Sequence, residues 1–111
     1  MKLLSPVLLV SRSESLNLLG VYFLKQLHLR RVMATTKGGR DLNRLIGMLS
    51  PELILLDAVF YWDTTPRRVG LLLQDRPELN IAVVNVNSYE PERLVDFIRF
   101  GARALLILTA G

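Results

Sequence analysis

The stretch from residue 51 to residue 57 reads Pro-Glu-Leu-Ile-Leu-Leu-Asp and carries the clearest structural signal in the chain. Residues 53–56 are all apolar, without the alternation of a strand that is buried on one face only. A continuous apolar run of this length is typical of a strand in a parallel sheet that helices cover on both faces. The run ends at Asp57, which predicts a carboxylate at the carboxyl end of this strand.

Helical and strand patterns alternate on both sides of this strand. Leu42, Leu45, Ile46 and Leu49 have the spacing of an amphipathic helix, and Pro51 lies just beyond its end. The same reasoning predicts, in chain order, a strand over 7–10, a helix over 16–27, a weak strand over 31–34, a helix that begins at Thr65 and Pro66, a strand over 81–86, a helix over 91–100 closed by Gly101, and a strand over 104–108. The order βαβαβαβαβ predicts an α/β fold, a doubly wound five-stranded parallel sheet of the flavodoxin-like type.

Composition bounds the class of protein. The 111 residues are 50% hydrophobic and 22% charged, which predicts one globular domain over residues 1–111. The chain has no cysteine, which excludes disulfides, thiolate metal sites and cysteine nucleophiles. His28 is the only histidine, which argues against a histidine-rich metal site or a Ser/His/Asp triad. The net charge is +4, but the basic residues are scattered, so we expect no direct contact of this domain with nucleic acid.

The amino-terminal segment begins like a signal peptide, with Lys2 followed by apolar residues. Pro6 splits this run and Arg12 ends it, and no small-residue cleavage site follows. A buried first strand explains the segment better. No run in the chain reaches the ~18 apolar residues that a membrane span needs, so we expect a cytoplasmic protein without membrane contact.

The carboxyl ends of the predicted strands are where function gathers in such sheets. They fall at residues 11–12, 35–36, 57, 87–88 and 108–109.

Two segments resemble the receiver domains of response regulators. Residues 51–57, with the helix before them, resemble the segment that leads to the phospho-accepting aspartate of that family. Gly-Ala-Arg-Ala-Leu-Leu-Ile-Leu, residues 101–108, is similar to the fifth-strand segment of receivers attached to LuxR-type DNA-binding regulators. The resemblance runs through the chain from Val7. It implies a receiver fold and a role in two-component signal transduction and transcription regulation.

The resemblance also implies a set of chemical positions, most of which this sequence lacks. The family uses two acidic residues that hold Mg²⁺, an aspartate acceptor, a Thr or Ser, and a Lys. These positions fall here at Ser11 and Arg12, Asp57, Asn87 and Leu108. Only the acceptor position is retained, and a hard cation needs more carboxylate oxygens than one residue supplies. We therefore expect a degenerate, phosphorylation-independent pseudo-receiver: no enzyme, no catalytic residue, no bound Mg²⁺ or other cofactor, and an inactive Asp57.

Alternatives remain open at this point. Asp57 is either a residual phosphoacceptor in a working receiver or a structural carboxylate, and Arg12 either pairs with it or is solvated. The serine-rich loop of residues 11–15 suggests a flavodoxin-like site for a small phosphorylated ligand at a helix amino terminus. It lacks the glycines of such loops, and Glu14 would repel an anion. We therefore favour helix capping by Ser13 or Ser15.

The predicted first helix is apolar on more than one side. Its core stripe is expected to be Leu16, Leu19, Gly20, Phe23 and Leu27. Outside that stripe lie further apolar residues, and the sequence ends before the final helix that covers the last strands in receivers. We therefore expect a homo-oligomer, with DNA binding supplied by another domain of the parent protein. The candidate interface residues are Leu18, Val21 and Tyr22 with Leu105, or else Phe97 and Phe100.

Overall fold

The computed structural model describes residues 6–26, 31–58, 66–84 and 91–106. Within these ranges the chain forms, in order, β1 (Val7–Val10), α1 (Glu14–Gln26), β2 (Val32–Thr35), α2 (Gly39–Leu49), β3 (Leu53–Asp57), α3 (Pro66–Asp75), β4 (Ile81–Val84), α4 (Pro91–Arg99) and β5 (Ala104–Leu106). The predicted alternation of strands and helices is confirmed. In the described ranges no helix has the length and apolar character to cross a membrane.

The five strands form one parallel sheet in the order β2-β1-β3-β4-β5. The chain runs from β1 to the edge strand β2 and then returns to the other side of β1 as β3. This reversal places a crevice between the carboxyl ends of β1 and β3, which is where open α/β sheets bind ligands. The register pairs Val10 with Leu56, so the next residue of each strand, Ser11 and Asp57, also lie side by side.

Helices α2, α3 and α4 cover one face of the sheet and enclose the main core. Every other residue of the strands points into it, because side chains alternate along a strand. The largest fully buried side chain is that of Phe97 on α4. Leu105 of β5 also packs against this core and is only partly buried. The core residues are Leu8, Val10, Leu42, Ile46, Ile54, Leu56, Ala58, Val69, Leu72, Leu79, Ile81, Val83, Phe97 and Ala102.

The position of Phe97 corrects one prediction. Phe97, predicted to border the apolar side of this helix and offered as an interface candidate, is 0% exposed, because this side of α4 faces the sheet; it is therefore not available for an interface. Phe100 is 46% exposed and lies over α3, where a methyl group on Gly70 would be 2.6 Å from its Cδ1 atom. α4 then ends at the predicted glycine: Gly101 has a φ of 111°, in the region that favours glycine.

Helix α1 lies on the opposite face of the sheet, and its predicted core stripe is confirmed only in part. Leu19 and Phe23 of the predicted core stripe are 68% and 62% exposed. Gly20, also a member of that stripe, does face the sheet: it lies directly against the side chain of Leu9, where a methyl group would collide with it. The helix is apolar on several sides, so periodicity alone did not fix which side faces the sheet. The close approach of Gly20 to Leu9 shows which side of α1 faces the sheet.

Candidate functional site

The site at the β1–β3 crevice is built around Asp57. Asp57 ends β3 and is 0% exposed, and Ser11, directly after β1, is also 0% exposed. The Ser11 hydroxyl donates a hydrogen bond of 2.5 Å to Oδ2 of Asp57, across 46 residues of sequence. The carboxylate that resembles the family's acceptor is therefore buried and accepts a hydrogen bond from the residue at one of the family's metal-binding positions.

The Ser11 hydroxyl also accepts a hydrogen bond. The backbone N–H of Ser13 donates to Ser11 Oγ over 3.0 Å. A chain of two hydrogen bonds thus runs from the Ser13 amide through the Ser11 hydroxyl to Asp57. Because this chain fixes the hydroxyl as a donor to the carboxylate, Ser11 supports Asp57 without adding negative charge.

The serine-rich loop caps helix α1. Ser13 Oγ accepts a hydrogen bond of 3.2 Å from the backbone N–H of Leu16, three residues on, as an N-cap residue does. The capping prediction is confirmed for Ser13, whereas Ser15 is exposed inside the first turn. The Ser13 amide and hydroxyl both have partners within the loop. The loop therefore does not present these groups to an anion.

Arg12 is exposed and forms no ion pair with Asp57, so the pairing considered from the sequence is wrong. The physical reason is the direction of neighbouring side chains. Successive residues of an extended segment point to opposite sides, and here Ser11 points inward. Arg12 is consequently directed to solvent.

Asn17 was missed by sequence reasoning and lies at the same edge of the sheet. Its side chain is buried, and Nδ2 donates to the carbonyl oxygens of Ser11 at 2.9 Å and Thr35 at 3.4 Å. It therefore joins α1 to the carboxyl ends of β1 and β2. Its Oδ1 is buried and has no hydrogen-bond partner among the described residues. The available signal was an amide among apolar residues in the first half of α1, one turn after the capping serine.

The described residues at this edge offer few donors for a hard cation such as Mg²⁺. Among the described residues no group of three or more His, Cys, Asp or Glu side chains comes together. Asp57 is buried and Glu14 is exposed on the first turn of α1. One buried carboxylate beside a serine hydroxyl does not fit the oxygen-rich shell that Mg²⁺ takes. Asn87 and Leu108, the other two predicted pocket positions, lie outside the described residues.

Comparison with known proteins assigns the fold. No family model matches the chain, and no curated protein matches it in sequence. Among solved structures, a LuxR-family two-component response regulator from Aurantimonas has a TM-score of 0.81 at 12% identity, over 94% of this chain and 74% of its own. The chemotaxis protein CheY4 of Vibrio cholerae has a TM-score of 0.80 at 17% identity, over 97% and 89%. A protein of Burkholderia pseudomallei described as pilus assembly-related has 0.80 at 18%, over 96% and 80%.

The chain has the receiver fold of two-component response regulators. The element order and the parallel sheet agree with this fold, as the sequence resemblance implied. At these levels of identity the likeness concerns the fold alone.

Proposed function

We propose that this chain is a degenerate receiver domain that works without phosphorylation, as a regulatory protein–protein interaction module in a cytoplasmic transcriptional regulator of the LuxR type. The observation that carries the proposal is the hydrogen bond from Ser11 to the fully buried carboxylate of Asp57. In this proposal Asp57 holds the ends of β1 and β3 together and has no catalytic role.

The chemistry of phosphoryl transfer supports this reading. A carboxylate attacks a phosphodonor only when the phosphorus can approach it in line and a cation offsets the charge of both. Asp57 is 0% exposed, and its neighbour on β1 is a hydroxyl rather than a second carboxylate. Both conditions are therefore poorly met, and the proposal includes neither Mg²⁺ nor enzymatic activity.

The alternative of a working phosphoreceiver has one observation in its favour. Asp57 lies at the carboxyl end of β3, at the crevice of the sheet, which is the position the family's acceptor takes. The third reading, a small-ligand site in the loop of residues 11–15, has lost support because Ser11 and Ser13 are engaged in internal hydrogen bonds.

Magnesium tests the proposal on the unmodified protein. A cation that binds only the native state raises stability, by about 2.7 kcal/mol at 100 times its dissociation constant. We expect the midpoint of thermal unfolding to be the same in about 10 mM MgCl₂ and in NaCl of equal ionic strength, which equalises the screening of charges. A rise of several degrees that is specific to Mg²⁺ would favour the working receiver.

Self-association is the second part of the proposal, and it rests on helix α1. Leu18, Leu19, Tyr22 and Phe23 are each more than 60% exposed, on successive turns of one helix. Leu106 of β5, on the same face of the sheet as α1, is 43% exposed. An exposed apolar surface of this kind marks an interaction site. In the proposal two copies of α1 pack about a twofold axis.

Three glutamate substitutions separate α1 from the rest of the surface. We expect light scattering after size exclusion to show a dimer for the unmodified chain and for Met48→Glu, a matched change at a residue of α2 that is 75% exposed. Leu19→Glu is expected to give a monomer, because it buries a charge in the contact. A monomer for the unmodified chain at about 100 μM, well above typical micromolar dimer affinities, would refute the dimer. If only Phe100→Glu gives a monomer, the interface lies at the end of α4 and not on α1.

A further inference from the structure

A groove of about 680 Å³ lies between α1 and the edge strand β2. One wall is the α1 stripe of Leu18, Val21 and Tyr22. The other is the outer edge of β2 at Ala34, Thr35 and Thr36. The proposed dimer uses Leu18 and Tyr22 but not the β2 wall, so a partner bound in this groove and the α1 dimer exclude each other. The groove therefore combines an apolar helix face with the border of a sheet.

The backbone of β2 has an unpaired edge along this groove. The N–H of Val7 donates to the Arg31 carbonyl and the N–H of Ser11 donates to the Thr35 carbonyl, at 2.8 and 3.1 Å. Backbone groups alternate sides along a parallel strand, so residues 31, 33 and 35 turn towards β1. The backbone N–H and C=O groups of Ala34 and of residues 32 and 36 therefore point away from β1, towards the open edge of the sheet. Within the described ranges no strand lies on that side of β2.

The side chains along the groove leave room for those of an added strand. Ala34 is paired in register with Leu9, whose side chain touches α1 at Gly20, so Ala34 faces the α1 side of the sheet. Because this side chain is small, it leaves the space between β2 and the side chains of Leu18 and Tyr22 open. In recognition by strand addition, backbone hydrogen bonds give affinity and pockets for alternate side chains give specificity. This groove offers both.

The charges around the groove favour an acidic partner over a second copy of this chain. Lys25 and Lys37 line it against the single carboxylate of Glu14. If β2 paired with its own copy about a twofold axis at Ala34, the strands would be antiparallel and Arg31 would lie opposite Lys37. Like charges in that position are destabilising.

We propose that the α1–β2 groove binds an extended segment of a partner protein, which adds a sixth strand beside β2. The segment carries β-branched or aromatic residues at alternate positions, which contact Leu18, Val21 and Tyr22, and acidic residues at its ends, which face Lys25 and Lys37.

Selection from a displayed library of random twelve-residue peptides tests this site on the full chain. The library is selected separately against the unmodified chain and against the Ala34→Pro variant. Proline removes the outward N–H of residue 34, which β1 does not use, and edge strands tolerate proline in that orientation. We expect the unmodified chain to enrich acidic peptides with alternating β-branched residues. A synthetic consensus peptide should bind Ala34→Pro at least about tenfold more weakly, because a backbone hydrogen bond and close approach are lost.

Two further variants keep the test decisive if Ala34→Pro does not fold. Lys25→Glu changes the charge of the groove and is expected to weaken the consensus peptide by a similar factor. Met33→Thr is the matched control: Met33 is 44% exposed but lies on the opposite face of the sheet, so binding should not change. The proposal is wrong if no peptide family is enriched, or if the enriched peptides bind all variants equally. Self-association that Ala34→Pro abolishes would assign the edge to a second copy instead.

Discussion

Replacement of Phe97 by alanine is expected to lower the free energy of unfolding by about 3–5 kcal/mol, the range for truncating a buried aromatic side chain. Phe97 is 0% exposed and is the largest side chain buried in the core between α4 and the sheet. Its removal leaves a cavity that the neighbouring strands cannot fill, because they are held in register by the parallel sheet. Urea denaturation of the variant and the unmodified chain under identical conditions measures the difference.

The matched control is Phe100→Ala, one residue beyond the end of α4. Phe100 is 46% exposed and rests on α3 at Gly70, so its truncation should cost only about 1 kcal/mol, part of what full burial of a phenylalanine contributes. A small loss of stability in Phe97→Ala, or a change in oligomeric state without loss of stability, would contradict the burial of Phe97. Either result would indicate that its side chain lies at the surface.

The Ser11→Asp variant is expected to acquire a response to Mg²⁺ that the unmodified chain lacks. The substitution places a second carboxylate beside that of Asp57, at a position where the family resemblance implies an acidic residue. Without a cation the two adjacent charges should lower stability by about 2 kcal/mol or more. Millimolar Mg²⁺ should recover about 2.7 kcal/mol at 100 times its dissociation constant.

Ser11→Asn is the control for this effect, because asparagine has the size of aspartate without its charge. It should lose stability through the crowded site and show no response to Mg²⁺. Thermal unfolding with and without Mg²⁺ at equal ionic strength compares the two variants. If both respond to Mg²⁺ alike, or neither does, residue 11 is not what separates this site from a metal-binding receiver.

The fold was predictable because its signals are local and agree with one another. The apolar run of β3 and the helical spacing of Leu42, Ile46 and their neighbours each indicate one structure, and the alternation of elements then allows few topologies. The weakest signal gave the largest shift in a strand's start: β2 was expected from Arg31 and begins at Val32. Edge strands bury less apolar surface, so their sequence constrains them less.

The site was predictable only in outline. Position along the sheet brings Ser11 next to Asp57, but sequence alone did not show which of the two residues after β1, Ser11 or Arg12, would face the carboxylate. The direction of a side chain in a turn depends on the hydrogen bonds of the turn, here from Ser13 to Ser11. Asn17 was missed for a similar reason, since its role requires knowing that the carbonyls of Ser11 and Thr35 converge beneath α1.

Intact-mass spectrometry after incubation with acetyl phosphate and Mg²⁺ tests most directly whether this receiver works without phosphorylation. The sample is the full chain, with Asp57→Asn as the control for modification at other residues. We expect the mass of the unmodified chain to stay unchanged, because Asp57 is buried and the residue beside it after β1 is Ser11, a hydroxyl rather than a second carboxylate. A gain of one phosphoryl group that requires Mg²⁺ and is absent from Asp57→Asn would contradict this and identify a working phosphoreceiver.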